Sequence, residues 1–441
     1  MPLDFPVVTS TLPNGLRLVV SEDHSVPSVS VTLWVDVGSR HEQPGRTGLA
    51  HLFEHLMFQG SELVAEGEHM SLLMAQGGRS NATTSFDRTT YVESVPSGAL
   101  ELALWLEGDR HGHLLPALTQ DNLDNQRDVV VEEKRQRYDT VPYGAALEHA
   151  CRLVFPEDHP YHHTTIGSMA DLSAATLEDV HAFFRAHYGP STTTLVLVGD
   201  VTPEQARVLA ERHLGHLEDT SEPRPAPSAP LGPLPQPVAL DIVGDVPSER
   251  LYLCFRLPAV TDPDFLPCAM ALDALASLSV SRLYRRLLRH EETVSGVSAS
   301  VLGLADGASL GLLVLDVSES VDPSVVEAAV HEELVRMGVE GPSEVELEAS
   351  RADTERSWLE ALASFDDRAD LLARASVIFG DPQHVNTYLD DVVAVTGEQV
   401  RRAAAEWLRP ASVATIRFRQ VRGVDEDVAA AEVLAASGVA P

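Results

Sequence analysis

The stretch "HLFEHLMFQG", His51 to Gly60, sets two histidines and a glutamate in the order H-x-x-E-H inside a run of leucine, phenylalanine and methionine. At helical spacing His51 and His55 stand one turn apart on one face, with Glu54 beside them. Leu49, Leu52, Phe53, Leu56, Met57 and Phe58 cover most of the remaining surface, so this helix is buried on most sides. Buried His and Glu cost free energy unless something satisfies them. A divalent ion held by the two imidazoles does so, and leaves Glu54 close enough to accept a proton from water. Zinc is the favoured ion, because imidazole and carboxylate ligands with one open position suit it. Thr47 is the expected N-cap, and Gly60 the expected left-handed residue past the end.

Such a site asks for a third protein ligand. The segment "LDNQRDVVVEEKRQRYD", Leu123 to Asp139, predicts a helix on which Gln126, Val130 and Glu133 recur at helical spacing, with Glu132 turned about 100° away. Either acid is able to complete a His-His-Glu set, while "VEEKRQR" on its own also fits a solvated face with i,i+4 ion pairs.

Outward from these helices the first half reads strand, strand, helix, strand, helix, helix. "NGLRLVVSED" and "SVSVTLWVDVGSR" alternate and are expected to be antiparallel neighbours. "GRSNATTSFDRTTYVESV" alternates through Thr83, Ser85, Thr89, Tyr91 and Glu93, which predicts an edge strand able to pair with an extended peptide. The segment Glu218 to Pro237 holds seven prolines and reads as an extended linker. On either side of it "LEDVHAFFRAHYGPSTTTLVLVGDVTPEQ" and "GEQVRRAAAEWLRPASVATIRFRQVRG" repeat one pattern of amphipathic helix, turn and strand. The expectation is an α+β chain of two homologous domains, residues 1–217 and 238–441, joined by the linker at 218–237. Each domain is an antiparallel sheet with helices on one face, and only the first carries a metal motif.

The chain of 441 residues has 32 Lys plus Arg against 66 Asp plus Glu, a formal charge of -34, which argues against nucleic-acid binding and toward basic or neutral partners. Cys151, Cys254 and Cys268 are too few and too scattered for a disulfide framework or a Cys-type zinc site. The amino terminus lacks a secretory pattern and no apolar run reaches about 18 residues, so no membrane span is expected and a cytoplasmic address is the default. "HGH" at His111 to His113, and His159, His162 and His163, read as surface loops; "GLADGASLGL" has no phosphate-loop context.

Taken together, "GLAHLFEHLMFQG", "GGRSNATTSFDRTTYVESVP" and "NQRDVVVEEKRQRYDTVPYG" resemble, in order and spacing, the pitrilysin/insulinase family of inverted-motif zinc peptidases, in its short-chain branch similar to mitochondrial processing peptidase. The resemblance implies one zinc ion per chain, with His51 and His55 as ligands, Glu54 as general base and Glu133, ahead of Glu132, as third ligand. Where the family often has an acid seven residues before that ligand, this chain has Gln126. Asn81 is implied to meet substrate backbone. Many members supply an Arg and a Tyr seven residues apart in the second domain; here Arg289 keeps the first, but Gly296 stands at the second. That gap points to a heterodimer with a paralogous chain supplying Arg and Tyr, the other arrangement being a homodimer. The function implied is zinc-dependent endopeptidase action on peptides or flexible leader segments inside a chamber, with basic peptides favoured by net charge. A catalytically silent scaffold of the same fold is the alternative, and the intact His51, Glu54 and His55 favour the enzyme.

Overall fold

The computed structural model describes residues 3–222 and 226–421. The last residues of the expected second domain, 422–441, lie outside the described residues.

The short alternating segments of the first half become β1 (Val8–Thr11), β2 (Arg17–Glu22), β3 (Ser28–Val35), β4 (Arg79–Thr84), β5 (Thr89–Pro96) and β6 (Thr193–Gly199), in one sheet of order β1-β2-β6-β3-β5-β4. The expected pairing of β2 with β3 does not form. β6, "TTLVLVG", is buried at every position and so has no face to offer water. It enters between them, parallel to β2 and antiparallel to β3. The polar stretch read as one edge strand is a hairpin: Ser85–Arg88 turns the chain, β5 pairs inward with β3, and β4 forms the open edge.

The second half builds β7 (Val238–Gly244), β8 (Arg250–Leu257), β9 (Val294–Leu302), β10 (Ser309–Val317) and β11 (Val413–Gln420), in the order β7-β11-β8-β10-β9. This order reproduces β2-β6-β3-β5-β4 strand for strand, including the one parallel pair, β7 with β11. The fold is thus α+β with a duplicated unit. Between the helix Pro203–Leu214 and β7, the described residues contain neither helix nor strand. This stretch is tied down, since Ser228 donates through its N–H and its hydroxyl to Asp306, and Leu231 N–H donates to Gly307.

Each half lays its own helices on one face of its sheet, as expected, and the other face is covered by the opposite half. On one face of the first sheet, Val29, Val31, Leu33 and Val35 pack with α1 (Leu49–Leu56) and α3 (Leu100–Ala117). On the other, Val19, Trp34, Val196 and Val198 pack against Leu362, Ala369, Leu372 and Ala373 of the second half. The exchange is mutual: α5 (Ala146–Val154) of the first half lays Ala150, Cys151 and Val154 on Cys254, Ala414 and Ile416 of the second sheet. A continuous apolar strand has two faces to bury, and each half supplies the cover the other lacks. All three cysteines are free and buried, and among the described residues no helix is long and apolar enough to cross a membrane.

A polar lock joins the halves at the β4–β5 turn. Tyr161 donates its hydroxyl to Asp87 (2.5 Å), Ala305 N–H donates to the other Asp87 oxygen (3.0 Å), and Asp306 N–H donates to the Tyr161 oxygen (2.8 Å). Arg40 Nε stands 3.4 Å from Asp87. Asp87→Ala strands these donors in a buried site, and is expected to cost about 2–4 kcal/mol in equilibrium denaturant unfolding.

Candidate metal centre

The helix that carries the H-x-x-E-H stretch is positioned from its N-terminus. Thr47 is not the cap; its hydroxyl and N–H both bind the Asp171 carboxylate (2.7 and 3.0 Å). The orphan N–H groups of Gly48 and Ala50 instead donate to the two oxygens of buried Glu42, each at 2.8 Å, and His163 Nε2 lies 2.8 Å from the same carboxylate. Gly48 begins the helix at φ +90, a left-handed conformation at which a Cβ would come within 2.9 Å of Ile166 O. Gly60 is left-handed as expected (φ +97), although the regular helix stops at Leu56.

His51 and His55 present perpendicular rings 4.8 Å apart. Their Nε2 atoms lie 3.7 and 3.3 Å from Glu133 Oε2, on α4 (Gln120–Lys134). Glu132, the other acid, turns outward to Arg135 and Gln136. Arg137 holds the second Glu133 oxygen at 2.6 Å. The helix continues past Lys134 as a wider π turn to Asp139.

Two imidazole nitrogens and one carboxylate oxygen within 4.8 Å of one another fit a divalent ion. At zinc bond lengths the edges of a tetrahedral site measure about 3.3–3.5 Å, close to the separations seen here. Protonation agrees. Burial holds His51 down at about 4, so its ring is neutral. Burial also pulls on His55, but its hydrogen bond to Glu133 and the charges of Glu133 and Glu54 outweigh that and raise it. The His55 bond and nearby His51 keep Glu133 below its ordinary value despite burial. Gln126, buried on α4, also acts to raise His55.

Glu54 stands apart from these donors. Thr84 donates its hydroxyl to Glu54 Oε2 (2.5 Å), and burial lifts the Glu54 pKa against that bond. Thr84 had no place in the sequence reading; the signal was its spacing, two residues after Ala82 on the β4 face that packs toward α1. Glu42 was likewise unread, because it caps a helix from six residues away.

Asn81 is exposed on β4 and, three residues from Thr84, points to the opposite face. It shares a surface hollow with Arg79, Thr83, Ser94 and Asp366. Arg289 is exposed in the second half, its guanidinium 5.4 Å from the Tyr284 ring. Gly296 lies in β9 opposite Asp316, where a Cβ would come within 2.6 Å of the Asp316 carboxylate. Asp316 in turn is paired with Arg250.

Of the other histidines, His159, His162 and His163 lie in a loop with a short 3-10 turn, as expected, whereas His111 and His113 lie in α3. His111 is buried in α3, and His113 marks a kink there, with Nδ1 3.1 Å from Asp109. His159 is buried and accepts from Tyr161 N–H, and His162 Nδ1 lies 2.9 Å from Phe155 O.

A second cluster also brings ligand atoms together: His69, Glu93 and Glu107, all buried. His69 Nε2 meets Glu93 Oε1 at 2.6 Å. Here a cation is already in place, since Arg110 binds both oxygens of Glu107 and lies 4.4 Å from the Tyr91 ring. Burial drives the Glu93 pKa well up, and Arg110 holds that of Glu107 low against the same burial, so one carboxyl is neutral and the other charged. Removing the arginine leaves a buried charge alone. Arg110→Met is expected to lower stability by about 3–5 kcal/mol, and Arg110→Met combined with Glu107→Gln to recover much of it in the same unfolding assay.

The site and the duplicated α+β fold define a class, two-domain proteins whose first domain presents an H-x-x-E-H helix to a carboxylate on a neighbouring helix. Residues 17–159 match the family model described as "Insulinase (Peptidase family M16)", and residues 174–353 match the "Peptidase M16 inactive domain". The chain belongs to this family. It is similar to "Zinc protease PqqE" of Helicobacter pylori, 28% identical over 414 residues, covering 92% of this chain and 91% of that protein. It is also similar to "Probable mitochondrial-processing peptidase subunit beta" of Schizosaccharomyces pombe, 24% identical over 440 residues, covering 94% and 92%. Among solved structures, that of a protease from Helicobacter pylori superposes with a TM-score of 0.87 at 26% identity, covering 94% of this chain and 99% of that one.

Proposed function

We propose that the chain is a zinc-dependent endopeptidase that cleaves peptides or flexible leader segments in extended form. The observation that carries this reading is the convergence of His51 Nε2, His55 Nε2 and Glu133 Oε2 beside a carboxylate, Glu54, that is held separately. The three donors hold one zinc ion, which when bound polarises the scissile carbonyl and makes water nucleophilic near neutral pH. Glu54 takes the proton from the attacking water and passes it to the leaving amine. Burial makes its carboxylate the stronger base, and the Thr84 hydroxyl fixes its orientation. The open edge of β4 accepts an extended peptide as an added strand, beside the helix that bears Glu54. Names of relatives that refer to zinc proteases support the same reading.

The glycine at 296 supports a partner-dependent arrangement, because this chain offers no tyrosine hydroxyl at that place. The assembly proposed is a dimer enclosing a chamber, with a paralogous chain supplying Arg and Tyr, and the relative named as a subunit beta agrees with it. The charge of -34 favours basic peptides.

Glu54→Gln is expected to retain zinc, measured by elemental analysis, and to lose at least about 10³-fold in turnover on a peptide library. A variant that cleaves at the wild-type rate ends the reading. Glu133→Gln is expected to lose the ion, while Glu132→Gln keeps both ion and activity. Thr84→Val is expected to lower kcat about tenfold with zinc content unchanged. If the purified chain holds zinc yet stays inert, adding the paralogue is expected to restore cleavage; continued inertness of the mixture supports the scaffold alternative.

A further inference from the structure

On the side of the first sheet away from α1, helices of the second half line a cavity of about 370 Å³ that opens to solvent, within the usual size range of small-ligand sites. Its walls are aromatic and aliphatic: Phe265, Leu266, Trp358, Leu371 and Phe379 line it. Trp358 is fixed by donating its indole N–H to Val385 O (3.1 Å), and its ring lies 4.2 Å from that of Tyr388.

Two polar side chains belong to this cavity and are unspent. Arg374 has no hydrogen bond or ion pair among the described residues. The acid with the greatest pull on it, Asp370, is paired with Arg88 (3.3 Å). Tyr388, which also lines the cavity, donates and accepts no hydrogen bond among the described residues. Asp262 and Asp391 complete the charged lining, but both are exposed; Asp262 accepts from Asp264 N–H, and Asp391 lies 3.8 Å from His384 Nδ1. Gly303, from the "GLADGASLGL" stretch, lets the chain close on this place: a Cβ there would come within 2.8 Å of the Phe265 ring and 3.2 Å of the Arg374 guanidinium.

An arginine stays protonated, and the half-buried Arg374 guanidinium, with no protein partner, gains from a carboxylate through paired, charge-assisted hydrogen bonds. The phenol of Tyr388 is a further donor, and the aromatic walls ask for an apolar group next to the acid. We infer that this cavity binds a carboxylate carried on an aromatic or branched apolar group, its acid on Arg374 and Tyr388 and its apolar part against Phe265, Trp358 and Phe379. Two sources share this chemistry, a free small acid and the C-terminal residue of a peptide. The inference does not rest on the peptidase reading, since the first sheet separates this cavity from the metal centre.

The test is isothermal titration calorimetry on the full chain, with chelator present so that no carboxylate binds through a metal. The probes are hydrocinnamate, its primary amide, and the tripeptide Ala-Ala-Phe with a free or an amidated C-terminus. Hydrocinnamate is expected to bind saturably with Kd of about 1 mM or tighter, and the amide about tenfold more weakly or less. Arg374→Gln is expected to bring the acid down to the level of the amide, Arg374→Lys to keep part of the preference, and Tyr388→Phe to weaken the acid about threefold. Tighter binding of the free tripeptide than of hydrocinnamate assigns the site to peptide C-termini, and the reverse assigns it to small acids. Equal affinity for acid and amide overturns the inference, as does an absence of saturable binding, or an Arg374→Gln variant that melts like wild type and binds the acid equally well. Should that variant not fold, the acid-to-amide ratio and the Arg374→Lys variant decide.

Discussion

β6 has no polar face, and the rest of the architecture follows from burying it twice. Its seven residues are all inaccessible, so the strand must sit inside the sheet and the sheet must be covered on both sides. One cover is the first half's own helices, among them the helix of His51, Glu54 and His55. The other comes from the second half. The same requirement that seats the metal helix therefore docks the two halves and creates the aromatic cavity on the far side.

Within that frame the candidate metal centre is a problem of keeping charged groups in an apolar layer. The solution divides the labour. Glu42 holds the start of the helix and spends its carboxylate on backbone N–H groups, while Glu133 faces both imidazoles from α4. Glu54 is bound by Thr84 instead and stays outside the ligand set. The contrast with His69, Glu93 and Glu107 is instructive. That cluster has similar donor atoms, but Arg110 already supplies the positive charge, so proximity of ligand atoms alone does not distinguish a metal centre from a satisfied buried network.

The duplication explains why the second half carries no such centre. Its strands repeat the order of the first, yet the segments between them differ. In place of an H-x-x-E-H helix after its second strand it has Phe265–Leu272, "FLPCAMAL", which packs as plain core. β9 occupies the place of β4, with Gly296 crowded against Asp316. One copy of the fold thus presents the candidate metal site, while the other presents packing surface and the Arg374 cavity.

Local pattern determined much of this. The spacing of His51, Glu54 and His55 depends only on helical geometry, and so does the shared face of Gln126, Val130 and Glu133, because neighbours three and four apart on a helix meet whatever surrounds them. The repeated helix, turn and strand revealed the two related units for the same reason. What local pattern could not hold were contacts between segments distant in sequence: β6 entering between β2 and β3, Glu42 in place of Thr47 at the helix start, Thr84 on Glu54, and His111 drawn into the core. The approach of Glu133 rather than Glu132 to the two imidazoles rests on how α4 is rotated against α1, and the unpaired Arg374 on how helices distant in sequence pack around it. Periodicity states which side chains share a face; packing alone decides what that face meets.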